Sequence, residues 1–214
     1  MPANAAARPA TLRAARNFAL VAAASIAAAS IWANGIEEQA WLLDADQWQA
    51  EAAHGDWPQD GWYRLLPQGK AVHVQPVRPG EAGEVPPGAL FFRLPGTELK
   101  AGARPMYRFV SALQQPRLGQ DYELTFGATR FGLRVESGAK GMTYAIAYGG
   151  HTYSYTLGPF DATTTSVQAV ADLDGDTRPD FLVDVDGAAT YLLLSTRARP
   201  GHNLPTAELQ FHGC

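Results

Sequence analysis

Cysteine is nearly absent from this chain. Cys214 is the only one in 214 residues, so no disulfide can close within the chain and the fold must stand on its packed core. Cys214 lies too far from the N-terminal apolar run to be a lipid acceptor there; it offers an intermolecular bridge or a plain free thiol. A basic footprint is missing as well. Residues 1–33 hold Arg8, Arg13 and Arg16 and no acid. Taking these three from the 17 basic side chains leaves 14 against 21 acidic ones, a net of −7 for residues 34–214. That balance argues against nucleic acid as a partner, because such binding draws on clustered Lys and Arg. His54, His73, His151, His202 and His212 are scattered, without the His-x-x-x-His spacing of a zinc site. Neither a Gly-x-Ser-x-Gly elbow nor a phosphate-cradling glycine loop occurs.

A long apolar run is the last thing lacking. Phe18–Ala33, FALVAAASIAAASIWA, is 16 uncharged residues, half of them alanine, whereas a bilayer-spanning helix needs about 20 predominantly apolar ones. Preceded by the basic residues 1–17, it reads as a secretory signal peptide, with cleavage candidates after Ala29, Ser30 and Ala33. An uncleaved membrane anchor formed by residues 18–33 is the alternative. Both readings place the remainder outside the cytoplasm, periplasmic or secreted, with the membrane a partner only if the segment is retained.

What is present suits a β-rich domain. Apolar residues make up 46% and charged residues 18%, enough for a core, while 21 Gly and 15 Pro favour short elements over a helical bundle. Residues 36–53, IEEQAWLLDADQWQAEAA, have helical apolar spacing, and Gly55 and Pro58 would end that helix. Short β-rich runs follow at 61–66, 70–77, 89–95, 106–112, 121–126, 130–136, 142–148, 151–157, 166–173, 180–185 and 189–195. The expected fold is mainly β: an antiparallel sheet, sandwich or barrel-like, with one N-terminal helix after the signal segment. The expected organisation is a leader at 1–33, a helical segment at 34–60 and a β-rich domain at 61–214.

Two hairpins can be placed. Gly149-Gly150 fits a two-residue turn that pairs Tyr148 with His151, Ile146 with Tyr153 and Tyr144 with Tyr155. Asp186-Gly187 is expected to join the next pair in the same way, with Phe181, Val183 and Val185 on one face and Leu182, Asp184 and Asp186 on the other. Trp41, Trp48, Trp57 and Trp62 after the leader are expected to pack the helix on the sheet; exposed, they would form a glycan-stacking patch. The Tyr144, Tyr148, Tyr153 and Tyr155 face is likewise expected to be core.

One motif carries chemistry. Residues 172–180 read Asp-Leu-Asp-Gly-Asp-Thr-Arg-Pro-Asp. Carboxylates at every second residue, with a fourth following, repel one another unless a cation sits among them. Calcium, a hard cation taking 6–8 oxygen ligands in flexible geometry, suits such a loop better than magnesium. The expected ligands are the side chains of Asp172, Asp174, Asp176 and Asp180 and the carbonyl of Arg178, with water; a solvated acidic turn is the alternative. An EF-hand is excluded, because its sixth and twelfth positions, glycine and glutamate, are Thr177 and Val183 here.

The stretch VADLDGDTRPDFLVDV, residues 170–185, resembles the calcium loop of FG-GAP and VCBS-type repeats: apolar strand, Asp-x-Asp-Gly-Asp, Pro-Asp, apolar strand. The resemblance implies structural calcium in a strand-connecting loop of an extracellular or periplasmic β-domain. Thr177 stands where that pattern usually has glycine, which implies a strained or reshaped loop. The single copy does not imply the multi-bladed propeller of those families.

Other constellations are weaker. Ser137-Gly-Ala-Lys140 matches the Ser-x-x-Lys of penicillin-recognising enzymes but lies in a turn between strands, and His212-Gly-Cys214 echoes L,D-transpeptidases without their flanking sequence. Glu136 and Asp184 are candidate paired acids that nothing in the sequence places together. The expectation is an exported, calcium-stabilised, non-enzymatic binding or envelope-associated module with a protein or glycan partner. The alternative is a small exported hydrolase of carbohydrate or cell wall with structural calcium.

Overall fold

The computed structural model describes residues 40–51, 58–81, 83–108, 111–158 and 162–210. The leader, Trp57, His54 and the His212–Cys214 tail lie outside the described residues. In chain order the elements are β1 (Trp41–Leu43), α1 (Ala45–Glu51), β2 (Trp62–Gln68), β3 (Ala71–Val77), β4 (Leu90–Arg93) and β5 (Gly102–Arg108). A single helical turn, α2 (Ser111–Gln114), leads to β6 (Asp121–Phe126), β7 (Thr129–Gly138), β8 (Gly141–Tyr148) and β9 (His151–Leu157). Then come β10 (Thr165–Ala171), β11 (Asp180–Val185), β12 (Ala189–Leu193), the 3-10 turn Ser195–Arg197, β13 (Gly201–Asn203) and β14 (Ala207–Gln210).

Two sheets result. The larger has nine strands in the order β1-β4-β2-β3-β5-β10-β11-β12-β14, all paired antiparallel. Its edge strands β1 and β14 lie alongside each other, so this sheet is nearly closed on itself. The smaller has the order β13-β9-β8-β7-β6 and is antiparallel except where β13 joins β9. The mainly β, antiparallel expectation therefore holds.

Side-chain alternation separates the cores. Leu65, Val74, Phe92, Leu192 and Leu209 pack inside the curled sheet. On the opposite faces of the same strands, Trp62 and Phe91 pack with Trp48 of α1. Phe181, Val183 and Val185 of β11 instead meet Val135, Tyr144 and Ile146 of the smaller sheet. The expected division of β11 is thus correct: Leu182 faces the barrel interior and Phe181, Val183 and Val185 the sandwich core.

The Gly149-Gly150 turn is as expected. Both glycines have positive φ, 59° and 79°, as a type I′ turn requires, and Tyr148 pairs with His151, Ile146 with Tyr153 and Tyr144 with Tyr155. All four tyrosines of that face are buried. The second hairpin differs by one residue. Val185 pairs with Ala189, so the turn holds Asp186, Gly187 and Ala188, with Asp186 at φ 54° and Gly187 at φ 65°.

The N-terminal helix is also shorter than its spacing suggests. Trp41–Leu43 form a strand on β4, and the helix occupies Ala45–Glu51; residues 36–39 and 52–53 lie outside the described residues. Asp44 explains the boundary. Its side chain accepts the Gln47 amide at 2.8 Å and its carbonyl accepts the Trp48 amide at 3.0 Å, an N-cap that starts the helix there. Before it, the run Trp41-Leu42-Leu43 buries residues on both faces of the sheet edge. Trp48 stacks on Phe91 at 4.2 Å and meets Trp62 edge-on at 5.0 Å, so the tryptophan packing expected of this helix is present. The expected strand at 106–112 begins earlier, at Gly102, and gives way to α2 at Ser111.

Candidate metal centre

The acidic loop spans the gap between β10 and β11, whose pairing ends at Ala171 opposite Asp180. Aspartate side chains build the loop from within. Asp172 Oδ1 accepts the Gly175 amide at 2.8 Å, Asp174 Oδ1 the Asp176 amide at 3.3 Å, and Asp176 Oδ1 the Arg178 amide at 2.8 Å. Each bond closes a small side-chain-to-backbone turn, which wraps the chain tightly and tilts the carboxylates to one side. Gly175 and Thr177 take positive φ, 80° and 68°. For a β-branched residue that conformation is strained.

The result is a cluster. Asp172, Asp174 and Asp176 each present a carboxylate oxygen, and these oxygens all lie within 4.8 Å of one another. Asp180 stands apart from that group. It is 1% exposed, with Oδ2 accepting the Leu173 amide and Oδ1 the Ser195 amide, both at 2.8 Å. It therefore pins the loop to the 3-10 turn. Arg178 donates its amide to Asp176, while its guanidinium lies 3.8 Å from Asp176 Oδ2 and 5.9 Å over the Tyr148 ring.

Two hydroxyls that no local pattern marks complete the frame. Ser195 Oγ donates to Asp176 Oδ2 at 2.9 Å, and Thr196 Oγ1 to Asp174 Oδ2 at 2.6 Å. Thr129, from β7, donates to the Thr177 carbonyl at 3.0 Å. Lys100 crosses the loop: its amide donates to the Leu173 carbonyl, and its side chain fills the space a Cβ on Gly175 would need.

Burial dominates the electrostatics of the loop. Burial, with the neighbouring Asp176 and Asp172 charges, raises Asp174 above the ordinary carboxylate range, even though Thr196 and the Asp176 amide bond it. Burial and the Asp174 charge push Asp180 well up, against the amides that it accepts. Burial carries the Tyr155 hydroxyl up to about 12, with Asp180 adding to the shift. Such a tightly wrapped set of all-oxygen donors could bind a metal ion.

The other candidate sites do not assemble. Ser137 sits near the end of β7 and donates to the Ala162 carbonyl at 3.0 Å, not at a helix start. Glu136 is exposed and bonded to Arg134 at 2.7 Å on the outer face of the smaller sheet, whereas Asp184 lines the interior of the larger one. Trp48 and Trp62 are buried and cannot stack on a sugar. Among the described residues, no helix is long and apolar enough to cross a membrane.

No family model matches the chain, and comparison with the curated proteins and with the solved structures finds no match. Its class is accordingly the one its own geometry defines: a β-rich protein whose nearly closed sheet carries an acidic loop that could hold a metal ion.

Proposed function

We propose that this chain is an exported, calcium-stabilised β-rich binding or envelope-associated module, not an enzyme, with a protein or glycan partner. The observation that carries the calcium reading is the convergence of the Asp172, Asp174 and Asp176 oxygens within 4.8 Å on one strand-connecting loop. Hard oxygen donors without nitrogen or sulfur favour calcium over zinc, and a loop of consecutive small turns accommodates its irregular shell. The Arg178 carbonyl and Asp180 belong to the proposed shell as outer contributors, Asp180 chiefly by orienting the loop. The ion's role is structural. It offsets the repulsion among three carboxylates and fastens β10, β11 and the Ser195–Arg197 turn together. The basic, alanine-rich leader supports export, periplasmic or secreted, with anchoring through residues 18–33 if it is retained.

Thermal melts of the purified protein test this reading. Calcium at 100 times its dissociation constant should add about 2.7 kcal/mol over chelator, a rise of roughly 5–10 °C for a domain of this size. Magnesium should give much less, and Asp174→Ala should abolish the calcium effect. Coincident melts in calcium and chelator would overturn the assignment.

A further inference from the structure

The nearly closed sheet holds a cavity of about 250 Å³, partly open to solvent. Protein interiors are ordinarily packed without voids much larger than a water molecule, so this space has a cause in the sequence. Leu65, Val72, Leu90 and Phe92 project into it from β2, β3 and β4. Across from them, the inward positions of β10 are Ala169 and Ala171, too small to fill the gap.

The lining is not uniformly apolar. Asp184 and Thr190 face each other in register on β11 and β12, and both line the cavity. Gln168 joins them from the bulge in β10, where the register slips between Val167 and Ala169, and its side chain donates to Ser166, the register partner of Asp184. A bulge re-aims a side chain in this way. One end of an apolar chamber thus holds three polar side chains. The acids on its lining are Asp44, Asp180 and Asp184, and no lysine or arginine is among them.

We propose that this cavity is a binding site for a small amphiphile: one apolar chain or ring with a hydrogen-bond-donating head, an amine or alcohol, seated at Asp184, Thr190 and Gln168. Apolar walls with a few convergent polar groups are the ordinary make-up of a small-molecule site. The size follows by proportion: an apolar cavity of about 150 Å³ holds benzene, so this one holds roughly ten non-hydrogen atoms. The head follows from charge. A carboxylate would meet acids with no cation to pair it, whereas an ammonium or hydroxyl donates to them. This ligand is distinct from the protein or glycan partner; because Leu173 and Asp180 of the acidic loop also line the cavity, binding is measured with and without calcium.

Titration calorimetry of the full protein with octylamine, octan-1-ol and octanoate tests the proposal, in calcium and again in chelator. Octylamine and octanol should bind one to one, with octanoate at least tenfold weaker. Ala171→Leu, which fills the chamber, should weaken octanol at least tenfold while keeping a cooperative melt; Ala169→Leu serves if that variant does not fold. Asp184→Asn should weaken octylamine at least fivefold, leave octanol nearly unchanged and narrow the gap to octanoate. Saturable binding by none of the three would overturn the site. So would octanoate binding as tightly as octylamine, or undiminished octanol binding by a folded Leu variant.

Discussion

The backbone amide of Ser195 donates to Asp180 Oδ1 at 2.8 Å, across 15 residues of sequence. With Leu173 on the other oxygen, a single buried carboxylate ties together the start of the acidic loop, the first residue of β11 and the turn after β12. Its position explains why the carboxylates of the loop do not all do the same work. Three converge on one point, and the fourth holds the frame on which they converge.

Asp180 is therefore expected to matter without calcium. Asp180→Ala leaves two buried amides without acceptors and should cost about 2–5 kcal/mol; Asp180→Asn, which keeps one acceptor, should cost about 1–3 kcal/mol. Urea unfolding in chelator checks this. The Asp174→Ala variant should lose less under the same conditions, because its carboxylate holds one long amide bond and one exposed hydroxyl and its main loss appears only with the ion.

Thr177 holds φ 68°, a conformation that its branched Cβ opposes. Thr177→Gly should gain about 1 kcal/mol, relief of strain outweighing the added freedom of the unfolded chain. The bond from Thr129 goes to the Thr177 carbonyl and survives the change. A lowered unfolding midpoint for this variant would show that the threonine side chain contributes something the backbone does not reveal.

Asp186 gives a pH dependence of known sign. The Thr164 amide and hydroxyl, with the Thr163 amide, bond its carboxylate and hold it below the ordinary range. A lowered native value means that the folded state favours the charged form. The stability from these bonds is complete above the unfolded value near 3.8 and is lost as pH falls through the lower folded one. Asp186→Asn keeps an acceptor and tolerates φ 54° but does not titrate. The parent should exceed this variant in urea midpoint near pH 7, and the gap should shrink as pH falls below about 3.8.

Trp48 is the link between helix α1 and the barrel wall. Removing its stack on Phe91 with Trp48→Ala should cost about 3–5 kcal/mol, whereas Trp48→Phe should cost about half that. Denaturant unfolding followed by circular dichroism measures both, since the substitution itself alters the fluorescence. A cost under about 1 kcal/mol for the alanine variant would mean that the helix docks elsewhere.

Local pattern went far in this chain because its physics is local. Alternation in β11 fixed which residues face each core, and the paired glycines at 149 and 150 fixed a register through the positive φ that a type I′ turn needs at both central residues. The spacing of Asp172, Asp174 and Asp176 sufficed to foresee a cluster, since each carboxylate builds its turn with an amide two or three residues away. Periodicity misled at Trp41–Leu43, where three consecutive bulky residues fit a helix face or a sheet edge equally well. There the cap formed by the Asp44 side chain on the Gln47 amide decides between the two in the folded chain.

Tertiary structure decided the rest. Nothing near the loop in sequence marks Ser195 and Thr196 as the hydroxyls that hold Asp176 and Asp174, because strand pairing alone brings residues some 20 positions apart together. The pair of amide bonds that separates Asp180 from the other three aspartates likewise depends on where β12 ends. The cavity is the clearest case. Ala169 and Ala171 read as ordinary small strand residues until the nine-stranded sheet curls and sets them opposite Leu65, Val72, Leu90 and Phe92. The sequence by itself determined strands, turns and an acidic loop, since these follow from backbone and side-chain preferences over a few residues. Closure of the sheet, and the space and polar end that it encloses, depend on contacts between strands distant in sequence, and so they appear only in the folded chain.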